Sequence, residues 1–219
     1  MGTVLGDLLP LAVGVSISPI PLVAAILMIL SKNASAAAGG FAAGWTGGIV
    51  AVTAVFAVLA AALGLSADSR PGAAAAWIKI VLGLLLLAVA YTQWRHRADT
   101  AEPGWMRGID SLTTGRAALL GATLAAVNPK NLLLCVSAGV AVGASGVGVG
   151  AQIVAVAVFT VLAAASVLGV VIGYAVAADR LRGGLERARG WLEANNHVVM
   201  AIVLLVMGAV VLGKGIGSL

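Results

Sequence analysis

Asn128-Pro129-Lys130-Asn131 sets one ammonium, two amides and a helix-breaking imino acid in four consecutive positions. It lies inside an apolar run, Ala117 to Val142, long enough to cross a bilayer. Proline lacks the N–H that would close the helical ladder, so it leaves carbonyls free inside the run. A lysine at that depth costs about 2.5–3.5 kcal/mol on insertion scales, and the asparagine amides also need partners. The functional reading makes Lys130 a counter-charge for an anionic group or a proton-exchanging site, oriented by Asn128 and Asn131. The structural alternative is a kinked helix whose lysine snorkels to one interface.

A second constellation, Ser16-Ile17-Ser18-Pro19-Ile20-Pro21, interrupts the first apolar run. Ser16 and Ser18 offer hydroxyls to the same site, or bond back to carbonyls of their own helix. Pro19, Pro21 and Pro129 open the helix in either case. All eight carboxylates, Asp7, Asp68, Asp99, Glu102, Asp110, Asp179, Glu186 and Glu193, fall in loops or at span ends. That pattern offers no intramembrane carboxylate relay. His96 and His197 lie away from any cysteine pattern, so neither a metal nor another cofactor is expected. Gly208 to Lys214 matches G-x-x-x-x-G-K, but Gly215 follows where Ser or Thr is needed, and the setting is an apolar span. The spans lack a Ser/His pair, paired carboxylates or metal ligands, so an enzyme is not expected.

These residues must be held by membrane helices. The 219-residue chain is 61% hydrophobic and only 10% charged, with a mean hydropathy of +1.10, whereas soluble domains carry about 25% charge. The apolar runs reach twenty residues and more without the two-residue alternation of a barrel wall. Six spans are expected: 8–30, 39–65, 73–94, 117–142, a fifth ending near Ala178, and 198–213. The first lacks a basic leader or A-x-A cleavage site and is read as a retained span. Trp105 is expected to anchor the long loop at an interface. The stretch Asp179–Asn196 carries Leu181, Leu185, Ala188 and Leu192 at helical spacing; it is either an interfacial amphipathic helix, weakened by Gly183 and Gly184, or a solvated basic loop. Cys135, the single cysteine, permits no intrachain disulfide.

Lys32, Arg95, Arg97, Arg107, Arg116, Arg180, Arg182, Arg187 and Arg189 fall on one side, against Arg70 and Lys214 on the other. The positive-inside rule therefore places both termini outside a plasma (inner) membrane. The formal charge of +5 points to anionic lipid headgroups at the cytoplasmic loops rather than to nucleic acid. Lys79, beside Trp77, is expected to snorkel outward. Gly40, Gly44 and Gly48 make two G-x-x-x-G steps, with Gly169/Gly173 and Gly213/Gly217 as further pairs. Close helix packing explains them, within one chain or across a homodimer.

Superposing Pro19 on Pro129 gives an offset of 110 residues that pairs Ser18 with Asn128 and Ile20 with Lys130. Each half then has three spans, the first broken at a proline motif. An odd span number inverts the second half, so the expected architecture is an all-α membrane protein of two inverted repeats, 1–94 and 116–219, joined by the cytoplasmic loop 95–115.

Leu9-Pro10-Leu11-Ala12-Val13-Gly14 leading into Ser18-Pro19-Ile20-Pro21, the Gly40-Phe41-Ala42-Ala43-Gly44-Trp45 opening of span two, and Asn128-Pro129-Lys130-Asn131 together resemble the LysE superfamily of six-span exporters. Length and pattern are most similar to its actinobacterial branch, the glycopeptidolipid- and sulfolipid-addressing (GAP/Sap) proteins. The resemblance implies export without ATP hydrolysis and a role in moving cell-envelope glycolipids. An amino-acid-like solute exporter, or a non-transporting scaffold for a lipid-export machine, stands as the alternative.

Overall fold

The computed structural model describes residues 2–31, 34–65, 73–98 and 112–219. Seven helices cover them: α1 (Gly2–Ser16), α2 (Pro19–Leu30), α3 (Ala34–Ala62), α4 (Ala73–Arg95), α5 (Thr114–Ala126), α6 (Pro129–Gly143) and α7 (Val149–Ile216). There is no strand among the described residues. Lys32, Asn33, the loop Ser66–Pro71 with Arg70, and Trp105 and Arg107 in the connection after α4 lie outside the described residues.

Four stretches are long and apolar enough to cross a membrane: α3, Ala75–Arg95 of α4, and two limbs of α7, Val149–Ala178 and Arg180–Ile216. The limbs meet at Ala177, whose φ of −142° and ψ of 47° leave the helical region. Two further apolar pairs are bent, α1 to α2 by 52° and α5 to α6 by 69°. The outward faces are as apolar as the core. Val58 (67% exposed), Leu119 (68%) and Val176 (83%) stand uncovered, as on a helix bundle whose solvent is lipid. This is a helical membrane protein.

The stretch 179–196 is helical throughout and runs unbroken into the last span, so the loop alternative is set aside. The helix carries its two glycines among several side-chain contacts made four residues apart. Arg187 Nε donates to the Gly183 carbonyl at 3.1 Å; Arg182–Glu186 at 3.6 Å and Arg189–Glu193 at 2.8 Å are i, i+4 ion pairs. The helix α3 starts at Ala34, five residues before its expected start at Gly39.

Small residues set the closest approaches. A Cβ at Gly40 would strike the Thr114 carbonyl, one at Gly44 the Ala118 carbonyl, and one at Gly48 would lie 2.8 Å from Ala125 Cβ. Gly121 returns the fit against Phe41 and Trp45. The triplet Gly40, Gly44 and Gly48 thus seats α3 on α5 within the chain. Gly139 and Gly143 of α6 lie against Thr53 and Ala57 of α3, and Gly83, Gly208 and Gly215 interlock α4 with the second limb of α7. Gly169 and Gly213 face no other side chain within 4 Å. At the end that holds both termini, Lys214 Nζ donates to Asp7 Oδ1 at 2.7 Å, joining α1 to α7.

Candidate functional site

Both bends begin at the same kind of junction. Ser18 precedes α2 in extended conformation (φ −115°, ψ 102°), and Pro19 is the first helical residue. Asn128 precedes α6 (φ −64°, ψ 117°), with Pro129 first. Proline suits that first position, where the missing N–H would have had no intrahelical partner. Asn128 Oδ1 then accepts from Lys130 N–H at 3.1 Å, a conventional N-cap.

The two junctions meet through side chains 112 and 113 residues apart. Lys130 is wholly buried, the one charged side chain so placed among the described residues. Its Nζ donates to the Ile17 carbonyl and to Ser18 Oγ at 2.9 Å. Ser18 Oγ in turn donates to Asn131 Oδ1 at 2.8 Å. Asn131 Nδ2 reaches the Leu124 carbonyl at 3.4 Å. The chain of hydrogen bonds runs from Lys130 through Ser18 and Asn131 to the accepting Leu124 carbonyl, and crosses both breaks.

The acceptors follow from the prolines. In a continuous helix the Ile17 carbonyl would take the N–H of residue 21, and Pro21 has none. Lys130 fills that vacancy from the other half of the chain. The Ser16 carbonyl at the same break accepts from Ser18 N–H at 3.0 Å and also from Ser166 Oγ of α7 at 2.7 Å. The Leu124 carbonyl stands at the frayed end of α5, where the ladder stops at Val127. An ammonium placed at the carbonyl end of α1 lies where that helix is negative. No carboxylate pairs with Lys130 among the described residues; the ion pairs there are Asp7–Lys214, Arg182–Glu186 and Arg189–Glu193.

Ser18, Lys130 and Asn131 therefore touch directly. Pro21 contributes by freeing a carbonyl, Asn128 by capping α6, and Pro19 and Pro129 by starting their helices. Ser16 takes part through its carbonyl. Pro129 itself is exposed, while Pro19 and Pro21 are buried. Sequence reasoning overlooked Ser166, a lone hydroxyl in Ala163-Ala164-Ala165-Ser166-Val167-Leu168 with no motif around it. Ile17 was recoverable, since it stands four residues before Pro21. Replacing Ser166 with Ala should lower stability by about 1 kcal/mol, the worth of one hydrogen bond. Thermal unfolding in detergent measures it, and an unchanged midpoint would show that the Ser18 N–H alone satisfies the Ser16 carbonyl.

Fold and site together define a polytopic helical membrane protein with a buried cationic centre between two helix breaks. A family model described as Sap, sulfolipid-1-addressing protein, matches residues 8–217. The chain belongs to that family. It matches no curated protein and no solved structure.

Proposed function

We propose that the protein is a secondary exporter of the plasma membrane that works by alternating access and moves an envelope glycolipid or its precursor. The observation that carries this reading is the hydrogen-bonded chain from Lys130 through Ser18 to Asn131, which ties one helix break to the other. In this reading each bent pair is one span, giving six, and the halves 1–94 and 116–219 are inverted repeats. Reciprocal packing supports it: α5 and α6 of the second half lie on α3 of the first, while α1 and α2 lie on α7 of the second. Transporters of that architecture bind substrate where broken helices meet. The resemblance of Asn128-Pro129-Lys130-Asn131 to the LysE superfamily supports export, and the family description supports a lipid cargo.

Lys130 is the group that would meet an anionic headgroup, replacing the Ile17 carbonyl and Ser18 as partners when the halves separate. Opening exchanges one set of hydrogen bonds for another, so the barrier stays modest. Ile17 (47% exposed) and Val127 (67% exposed) bring both breaks to the outer face of the bundle, which favours an amphipathic cargo entering from the side over a small solute in a closed cavity. Such movement requires no bond-making chemistry and no cofactor. Both termini lie outside in this reading.

The test is reconstitution of the purified protein alone in liposomes, with a fluorescent anionic glycolipid and a membrane-impermeant quencher. Protein-dependent movement of the probe is expected. No movement, with export of a surface lipid still lost when the gene is deleted from cells, would replace the exporter with a scaffold. Movement of amino acids alone would replace the lipid with a small solute.

A further inference from the structure

Sharing no residue with the Lys130 centre, α4 and the second limb of α7 leave a groove of about 270 Å³ between them. Its origin is a change in residue size along one antiparallel pair. Towards the end that carries the termini the helices interlock, with a Cβ at Gly208 placed 2.9 Å from Leu87 and one at Gly83 placed 2.8 Å from Leu212 Cα. Beyond Leu87 the contact residues become Ala90 and Ala201, both buried and too small to fill the space. Tyr91, Trp94, Ile202 and Leu205 stand around these alanines as walls, between 48% and 63% exposed. The groove is thus an apolar slot that runs along α4 from Leu87 to Trp94.

The Trp94 end of the slot is polar and basic. Arg97 stacks its guanidinium over the Trp94 ring at 4.8 Å and donates from Nη1 to the Trp94 carbonyl at 2.9 Å. Arg95 is exposed one residue beyond Trp94. Across the slot, His197 Nδ1 and Gln93 Oε1 are 2.7 Å apart, tying the two helices. On the α7 side Glu193 is engaged by Arg189 at 2.8 Å, so among the described residues this end presents unpaired positive charge beside a tryptophan, the pairing that holds proteins at a headgroup layer.

We infer that this slot binds one acyl chain of an anionic phospholipid of the bilayer, with Arg95 and Arg97 on its phosphate, and that the bound lipid splints α4 to the last span. Apolar walls alone would accept any bilayer lipid. The two arginines at the mouth select by charge, and each basic residue near an anionic lipid is worth about fivefold in affinity. The inference goes beyond the exporter reading and needs only that the chain spans a membrane.

Native mass spectrometry of the full-length protein, titrated in detergent with phosphatidylglycerol or with phosphatidylcholine of the same chains, tests it. One phosphatidylglycerol per protomer should be retained in clear preference to phosphatidylcholine. Arg95→Gln and Arg97→Gln should each weaken that retention about fivefold, down to the level of phosphatidylcholine when combined. Ala201→Phe, which fills the floor, should remove both adducts; because that site is buried, Ile202→Trp on the exposed wall provides a second obstruction that the fold tolerates. Equal retention of the two lipids, or retention undiminished by both obstructing variants, would overturn the inference. So would a lipid-free dimer lost on Ile202→Trp, which would assign the slot to a second copy of this chain.

Discussion

Lys130→Ala should abolish export while leaving a protein that still inserts. The substitution removes the one buried cation among the described residues and strips the Ile17 carbonyl and Ser18 Oγ of their shared donor. Losing two charge-assisted hydrogen bonds, with their acceptors still buried, costs about 3 kcal/mol or more, and transport by the reconstituted protein should fall roughly a hundredfold. Stability alone could imitate this, so the informative comparison is Lys130→Met, which retains most of the volume, and Asn131→Ala, which removes the next link. If the centre binds an anionic cargo, Lys130→Met, which loses the same two hydrogen bonds but leaves no cavity, should be more stable than Lys130→Ala and still fail to transport. Asn131→Ala should transport weakly, because Ser18 loses the acceptor that holds its proton and leaves a lone pair facing Lys130. Wild-type flux from correctly inserted Lys130→Met would take the function away from this centre.

The second large effect concerns a position with no chemistry. Gly44→Ala should destabilise the protein by about 3 kcal/mol, the upper part of the usual range for overpacking. The new methyl group would lie 2.7 Å from Ala118 Cα and closer still to its carbonyl oxygen, and a backbone cannot swing aside as a flexible side chain can. Gly47→Ala, three residues on, meets nothing within 4 Å. It should be neutral or gain up to about 1 kcal/mol from helix propensity. Unfolding of both variants in the same detergent separates helix packing from propensity, and equal midpoints would mean that α3 and α5 are not in close contact.

Much of this protein was legible in its sequence because lipid leaves the backbone few options. Apolar runs of bilayer length must be helices. Pro19, Pro21 and Pro129 fall in the first turns of α2 and α6, where a missing N–H has no intrahelical partner to lose, whereas Pro10 is carried inside α1. The type of the polar centre was legible for the same reason: Lys130 and two asparagines inside an apolar run need partners that lipid does not offer. Gly40, Gly44 and Gly48 announced a close helix contact but named no partner, because a small residue says only that something approaches. The stretch 179–196 left helix and loop open, since two glycines weigh against an otherwise periodic pattern, and the i, i+4 pairs of Arg182–Glu186 and Arg189–Glu193 decide for helix.

Residue chemistry and spacing by themselves determined that this chain is helical, lives in a membrane and carries in Lys130 a deep cation that must be answered. Only the tertiary structure decided what answers it. The acceptors are the carbonyl of Ile17, an apolar residue, and the hydroxyl of Ser18, and Ser166 closes the neighbouring Ser16 carbonyl from a third helix. Proline leaves a carbonyl wanting a donor, but which donor arrives depends on how helices more than a hundred residues apart are packed. That packing is set by glycine contacts such as Gly44 on Ala118, whose spacing is visible along the chain but whose partner is a matter of distance alone.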